Sequence, residues 1–162
     1  MQNGHLNSQV LPPVAGATAP ANAQEAGKTS TAVQLLRHSL DTFLAKDIKG
    51  WAELCDVNVV VEFPFAPDEA SRRMVGRAAF YEYLKDYPSV IDLRKTDTMS
   101  ICATDDPNRA IAEWSVSGRV INGNPYEMSY ATFVTFKNGL IVNYREYWNP
   151  IAFLAAMDGT MF

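Results

Sequence analysis

The segment Leu140-Ile141-Val142-Asn143-Tyr144-Arg145-Glu146-Tyr147-Trp148 sets one acid among aromatic residues. If it forms a strand, period-two alternation puts Glu146 on one face with Leu140, Val142, Tyr144 and Trp148. A carboxyl group taken from water into such surroundings resists ionisation, so its pKa rises and it can work as a general acid or base near neutrality. A salt bridge to an arginine such as Arg119 or Arg94 accounts for the same residue equally well. Glu113, on the Ile111, Ser115 and Ser117 face of its strand, and Glu62, alternating with Val60 and Pro64, are candidates for a second carboxylate. For each the competing reading is a solvated or ion-paired strand residue. Tyr126, Tyr130 and Tyr144 offer hydroxyls as donors to a carbonyl oxygen, or else pack with those hydroxyls at an edge.

Other chemistries find no support. The two histidines are His5 and His38, with no His-x-x-x-His or clustered Cys/His spacing, so neither a zinc site nor any other metal is expected, and His38 reads as a polar-face helix residue. Cys55 and Cys102 are far apart and read as two buried free thiols, with a single disulfide as the alternative. Glycine patterns of dinucleotide and phosphate loops and the Gly-x-Ser-x-Gly elbow are absent. With a net charge of -4 and scattered Lys and Arg, nothing attracts a phosphate backbone, so nucleic acid is not an expected partner. No apolar run reaches the roughly 18–20 residues that span a bilayer, which excludes a membrane-spanning helix. The start has no basic region followed by an apolar run, so a cytoplasmic location is expected.

The acid needs elements to hold it. At 162 residues, 48% hydrophobic, the chain has the size of one domain with one core. Residues 1–29, rich in Ala, Pro, Gly, Asn, Gln and Ser without apolar period, are expected to be a disordered tail, with 30–162 as the domain. Val33, Leu36, Leu40, Phe43 and Leu44 recur at helical spacing behind a Thr31-x-x-Gln34 capping box. Asp47 caps a short second helix through Trp51, and the β-branched run Val57 to Val61 follows as a strand. A polar, turn-rich stretch from Ala66 to Arg73 leads to a third helix carrying Ala79, Phe80, Tyr83, Leu84 and Tyr87, closed by Pro88. Three turn signals then separate four antiparallel strands near 93–104, 109–121, 126–137 and 140–148. Strands this long must curve, and a curved sheet covered by helices leaves an open mouth fit for a ligand. Trp114, Val116 and Val120 alternate with Ile111, and Tyr130, Val134 and Phe136 with Phe133. One face therefore meets the helices and the other is expected to meet a second copy in a two-fold dimer. Asn149-Pro150 opens a last helix with Ile151, Phe153, Leu154 and Met157 as its apolar stripe.

This order of elements resembles the nuclear transport factor 2-like superfamily. Thr104-Asp105-Asp106-Pro107-Asn108, Asn138-Gly139 and Arg145-Glu146-Tyr147-Trp148-Asn149-Pro150 resemble its SnoaL-like branch, closest to the phenazine-biosynthesis A/B family, over roughly residues 33–155. Phe63-Pro64-Phe65-Ala66-Pro67 recurs in SnoaL-like proteins at the pocket rim. The resemblance implies a cone-shaped α+β fold, a cystatin-like roll with helices on a strongly curved antiparallel sheet. It also implies a homodimer and a pocket at the wide end. It makes Glu146 the acid/base residue. A pocket histidine of the phenazine proteins would fall near Ala78 to Glu82, where this chain has none, which argues against that same condensation. The expectation is a cofactor-free acid/base enzyme acting on a hydrophobic carbonyl-bearing small molecule. Its catalytic candidates are Glu146, Glu113 and Glu62; its ligand-binding candidates are Tyr130, Tyr144, Trp148, Phe63, Phe65 and Trp114. A non-catalytic binding or partner protein of the same fold is the alternative.

Overall fold

The computed structural model describes residues 30–159; the tail expected at 1–29, with His5, lies outside the described residues. Helix α1 (Thr31–Leu44) is capped by Ser30 rather than Thr31, the Ser30 hydroxyl accepting from the Val33 amide at 3.2 Å. Asp47 caps α2 (Ile48–Glu53), accepting from the Gly50 amide at 2.8 Å. Strand β1 (Cys55–Glu62) follows, then a stretch that holds a 3-10 turn (Ala70–Arg72) and a short strand β2 (Arg73–Val75) antiparallel to β1. The polar stretch is turn-rich as expected up to Arg72, and only its last residue, Arg73, joins β2, where it pairs Glu62. The third helix, α3 (Arg77–Leu84), ends before Tyr87, and Tyr87 opens a separate turn, α4 (Tyr87–Val90). Pro88 sits in that first turn, where its missing N–H has no helical partner to lose.

The meander follows as β3 (Ile91–Ala103), β4 (Arg109–Val120), β5 (Pro125–Lys137) and β6 (Leu140–Tyr147). Helix α5 (Pro150–Ala156) is capped by Asn149, whose side-chain oxygen accepts from the Ile151 and Ala152 amides. The sheet runs β2-β1-β6-β5-β4-β3 and is not closed; β1 lies parallel to β6 and every other pair is antiparallel. The strand that carries Glu146 is therefore central, paired on both sides.

Curvature has local causes. The register between β3 and β4 slips at Arg94 and again at Asp97, and each extra residue bends and twists the strand. Opposite the first slip stands Gly118, where a Cβ would collide with the Asp92 carbonyl. A third slip falls in β6: Phe136 pairs Ile141 but Thr135 pairs Asn143, leaving Val142 as the extra residue.

The inner face carries Trp114, Val116, Met128, Tyr130, Val134, Ile141 and Tyr144, all buried against α1, α2 and α3 through Leu36, Leu40, Trp51 and Phe80. The outer face is more hydroxylated than expected. Ser115 pairs Ser129 across it, and its apolar groups are Ile111 beside Phe133, with Tyr147 edge-on to Phe133 at 5.9 Å. Cys55 is buried as expected, whereas Cys102 is exposed, because it faces outward on β3; both thiols are free. His38 is exposed on α1. Among the described residues no helix is long and apolar enough to cross a membrane.

Candidate functional site

The helices cover the inner face incompletely and leave a cavity of about 370 Å³ with Glu146 in its wall. The Val142 bulge puts the acid there. Lys137 pairs Leu140 across the Asn138-Gly139 turn, and unbroken alternation from that pair would turn Arg145 inward and Glu146 to the outer face. The extra residue reverses the alternation. Ile141, Tyr144 and Glu146 therefore face in, while Leu140 and Val142, expected beside Glu146, do not share its buried face.

Glu146 is 8% exposed. Its Oε2 accepts from the Tyr144 hydroxyl at 2.6 Å and the Thr132 hydroxyl at 2.8 Å, and Thr132 in turn accepts from the Trp114 indole at 2.9 Å. Burial pushes the Glu146 carboxyl from 4.5 to about 7, although the two hydroxyl donors favour the anion and pull the other way. Neither arginine weighed as its partner reaches it: Arg94 pairs with Asp92 at 2.7 Å, and Arg119 donates to the Gly123 carbonyl at 2.7 Å. Among the described residues no group donates to Oε1, and that oxygen faces the cavity whose wall Glu146 forms.

The aromatic candidates separate into two groups. Phe63, Trp114, Tyr130, Tyr144 and Trp148 line the cavity. Phe65 is 58% exposed and packs against Tyr147 outside. Glu113 is exposed on the outer face, and Glu62, also outside the cavity, holds Arg145 at 2.9 Å. The structure thus brings one of the three carboxylates into the cavity. Sequence reasoning did not reach Thr132, the cross-strand partner of Glu146, because its position opposite depends on the bulge. Nor did it reach Tyr87, which α4 turns into the cavity beside Tyr126 and Tyr130; an aromatic just before Pro88, past the end of a helix, was the available signal.

Tyr126 and Tyr130 share a hydroxyl–hydroxyl bond of 2.9 Å, and Tyr130 stacks on Trp114 at 4.3 Å between ring centroids. Burial raises the Tyr126 hydroxyl to about 12 and those of Tyr87, Tyr130 and Tyr144 well above 10, so all four stay protonated donors. Among the described residues no three His, Cys, Asp or Glu side chains gather to hold a metal ion. The arrangement can move a proton at one carboxyl oxygen inside an apolar, aromatic-walled space.

The SnoaL-like domain family model matches residues 36–144. YesE of Bacillus subtilis strain 168, an uncharacterized protein, is 42% identical over 130 residues, covering 80% of this chain and 88% of its own. An uncharacterized PhzA/B-like protein of Pseudomonas aeruginosa is 32% identical over 129 residues, 79% of this chain and 91% of its own. The crystal structure of a candidate isomerase from Bacillus subtilis, 41% identical, superposes with a TM-score of 0.75 over 80% of this chain and 94% of that one.

Proposed function

The chain belongs to the SnoaL-like domain family, and on that premise we propose that it is a cofactor-free acid/base enzyme of specialised metabolism. Its reaction is of the isomerase, cyclase, dehydratase or condensation type, and its substrate is a hydrophobic, carbonyl-bearing small molecule. One observation carries the reading: a buried carboxyl, with no cation beside it among the described residues, opens one oxygen onto an apolar cavity. With its pKa near 7 the group is populated in both forms at neutral pH, so it can take a proton as the anion and return it as the acid. The donors on Oε2 leave Oε1 to exchange that proton with substrate. A positioned acid/base of this kind contributes about 10²- to 10⁴-fold to rate.

The test is hydrogen exchange at the carbon next to the carbonyl of an apolar cyclic ketone in heavy water, followed by NMR. The wild-type protein catalyses exchange, and Glu146→Gln slows it by about 100-fold or more while thermal unfolding stays cooperative. Undiminished exchange in that variant refutes the assignment. The same proposal places a second copy of the chain on the outer face around Ile111, Phe133 and Tyr147, where apolar side chains remain partly accessible. Light scattering then gives twice the chain mass of 17.9 kDa, and Phe133→Glu reduces it to the monomer value.

A further inference from the structure

We infer that α5 is the door of the cavity and that Asn122 and Asn124, on the turn between β4 and β5, are its latch. A ligand enters and leaves when this catch opens. The inference rests on the cavity being the ligand site and not on the acid/base role of Glu146.

The catch is fully formed. Asn122 Nδ2 donates to Asp158 Oδ2 at 2.8 Å and to the Ala156 carbonyl at 3.2 Å. Asn124 Nδ2 donates to Asp158 Oδ1 at 3.1 Å and to the same carbonyl at 3.0 Å. A carboxamide has two N–H protons, so every amide proton of the two side chains is used on the end of α5. Ala156 is the last residue of that helix, and its carbonyl is one that a helix leaves without an internal partner. Asp158 then takes the left-handed backbone region, φ 53°, which Asp adopts more readily than most residues. Gly159, φ 77°, returns its amide to the Leu154 carbonyl at 2.7 Å and finishes the turn. On the other side, the Asn122 side-chain oxygen accepts from the Asn124 amide at 3.0 Å, which fixes the loop that carries both donors.

Little else fastens this wall of the cavity. Phe153 of α5 lines it, edge-on to Trp148 at 5.7 Å between ring centroids. Yet no residue within α5 is buried, Ile151 is 76% exposed, and the buried anchor Met157 lies just past the helix. The core holds the other helices that line the cavity: α1 by Leu36 and Leu40, α2 by Trp51, α3 by Phe80. The α4 turn is tied between buried Leu84 and Ile91. A segment with few buried contacts and exposed hydrogen bonds opens at lower free energy than the elements around it. Because Asn149 caps the Ile151 and Ala152 amides, α5 can swing as a unit about the residues that follow Tyr147. That swing lifts Phe153 out of the wall. The latch bonds are present in the closed form with and without ligand, so removing them raises the open population of both alike. Association and dissociation then quicken together while Kd holds.

The probe is prodan, an uncharged naphthyl ketone whose emission reports polarity, mixed with the full chain in stopped flow. Asn122→Ala and Asp158→Ala should each raise both rate constants about tenfold and leave Kd within about twofold. The double variant should fall short of the product of the two effects, because the single variants share the 2.8 Å bond. Ile151→Ser, on the same helix but outside the latch, should leave both rates as they are, which separates a catch from general weakening of α5. Glu146→Gln should leave the acceleration by Asn122→Ala in place, so the acid/base reading can fail while this inference stands. Unchanged rates in both latch variants, each with cooperative thermal unfolding, overturn it. So does a change in the ratio of the two rates, which would make α5 a wall rather than a door, or prodan failing to bind at all.

Discussion

Trp114 donates its indole N–H to the Thr132 hydroxyl at 2.9 Å, and that bond decides where the hydroxyl's own proton points. A threonine hydroxyl has one proton to give. With Trp114 filling an acceptor position, the proton is directed at Glu146 Oε2, 2.8 Å away. Thr132→Val removes this donor and with it part of the stabilisation of the anion. The Glu146 titration, followed through the carboxylic-acid infrared band, should move up from about 7. A hydrogen bond to a charged acceptor is worth ~1.5 kcal/mol, about tenfold in proton affinity. Trp114→Phe should shift it in the same direction by less. A downward movement in either variant contradicts the donor assignment.

Burial of Glu146 makes stability depend on pH in a definite direction. The folded carboxyl titrates near 7 and the unfolded one near 4.5. Below the lower value both states hold the proton and the residue contributes no pH dependence. Between the two, the folded state keeps a proton that the unfolded state releases, so stability falls as pH rises and levels off above about 7. The fall amounts to ~3 kcal/mol at 1.36 kcal/mol for each tenfold change in proton affinity. Urea unfolding of the wild type at pH 5 and pH 8 should differ by that order, and Glu146→Gln should remove most of the difference. An equal pH dependence in the variant would mean that the carboxyl titrates normally.

Gly118 stands where β4 meets the first irregularity of β3, and a side chain there would strike the backbone carbonyl of Asp92. Backbone cannot swing aside as a side-chain tip does, so Gly118→Ala must spread the two strands. Overpacking of this kind costs about 1–3 kcal/mol. The expected outcome is a clear fall in melting temperature, with loss of the sheet's local bend. A variant as stable as the wild type would show that the strands approach less closely there.

The elements were legible from the sequence because their signals are local. Asp47 and Asn149 cap the helices they were expected to cap, and the turns at Asp105 to Asn108, Asn122 to Pro125 and Asn138-Gly139 separate β3, β4, β5 and β6. What stayed hidden depends on pairing between distant segments. The parallel contact of β1 with β6, the β2 edge and the bulge at Val142 leave no mark in residue type. Alternation grouped Glu146 with Tyr144 and Trp148, but its extension back to Leu140 crossed the bulge. The same argument could not tell which of Glu62, Glu113 and Glu146 faced the helices, since that is set by which side of a strand the core occupies.

Arg145 and Glu146 are neighbours in sequence and opposite in environment, which gives a sharp control. Arg145 turns outward and pairs with Glu62 at 2.9 Å, its side chain 44% exposed and that of Glu62 19%. An ion pair this accessible contributes about 0–1 kcal/mol, because solvent screens it and two long side chains must be held together. Glu62→Gln should therefore lower stability by no more than ~1 kcal/mol. It should also leave the titration of Glu146 where it stands, since the two carboxylates lie on opposite faces of the sheet. The measurement pairs urea unfolding with the infrared titration of the acid band. A displaced Glu146 titration in Glu62→Gln would show that the two carboxylates share one site, and the single-acid reading of the cavity would have to be abandoned.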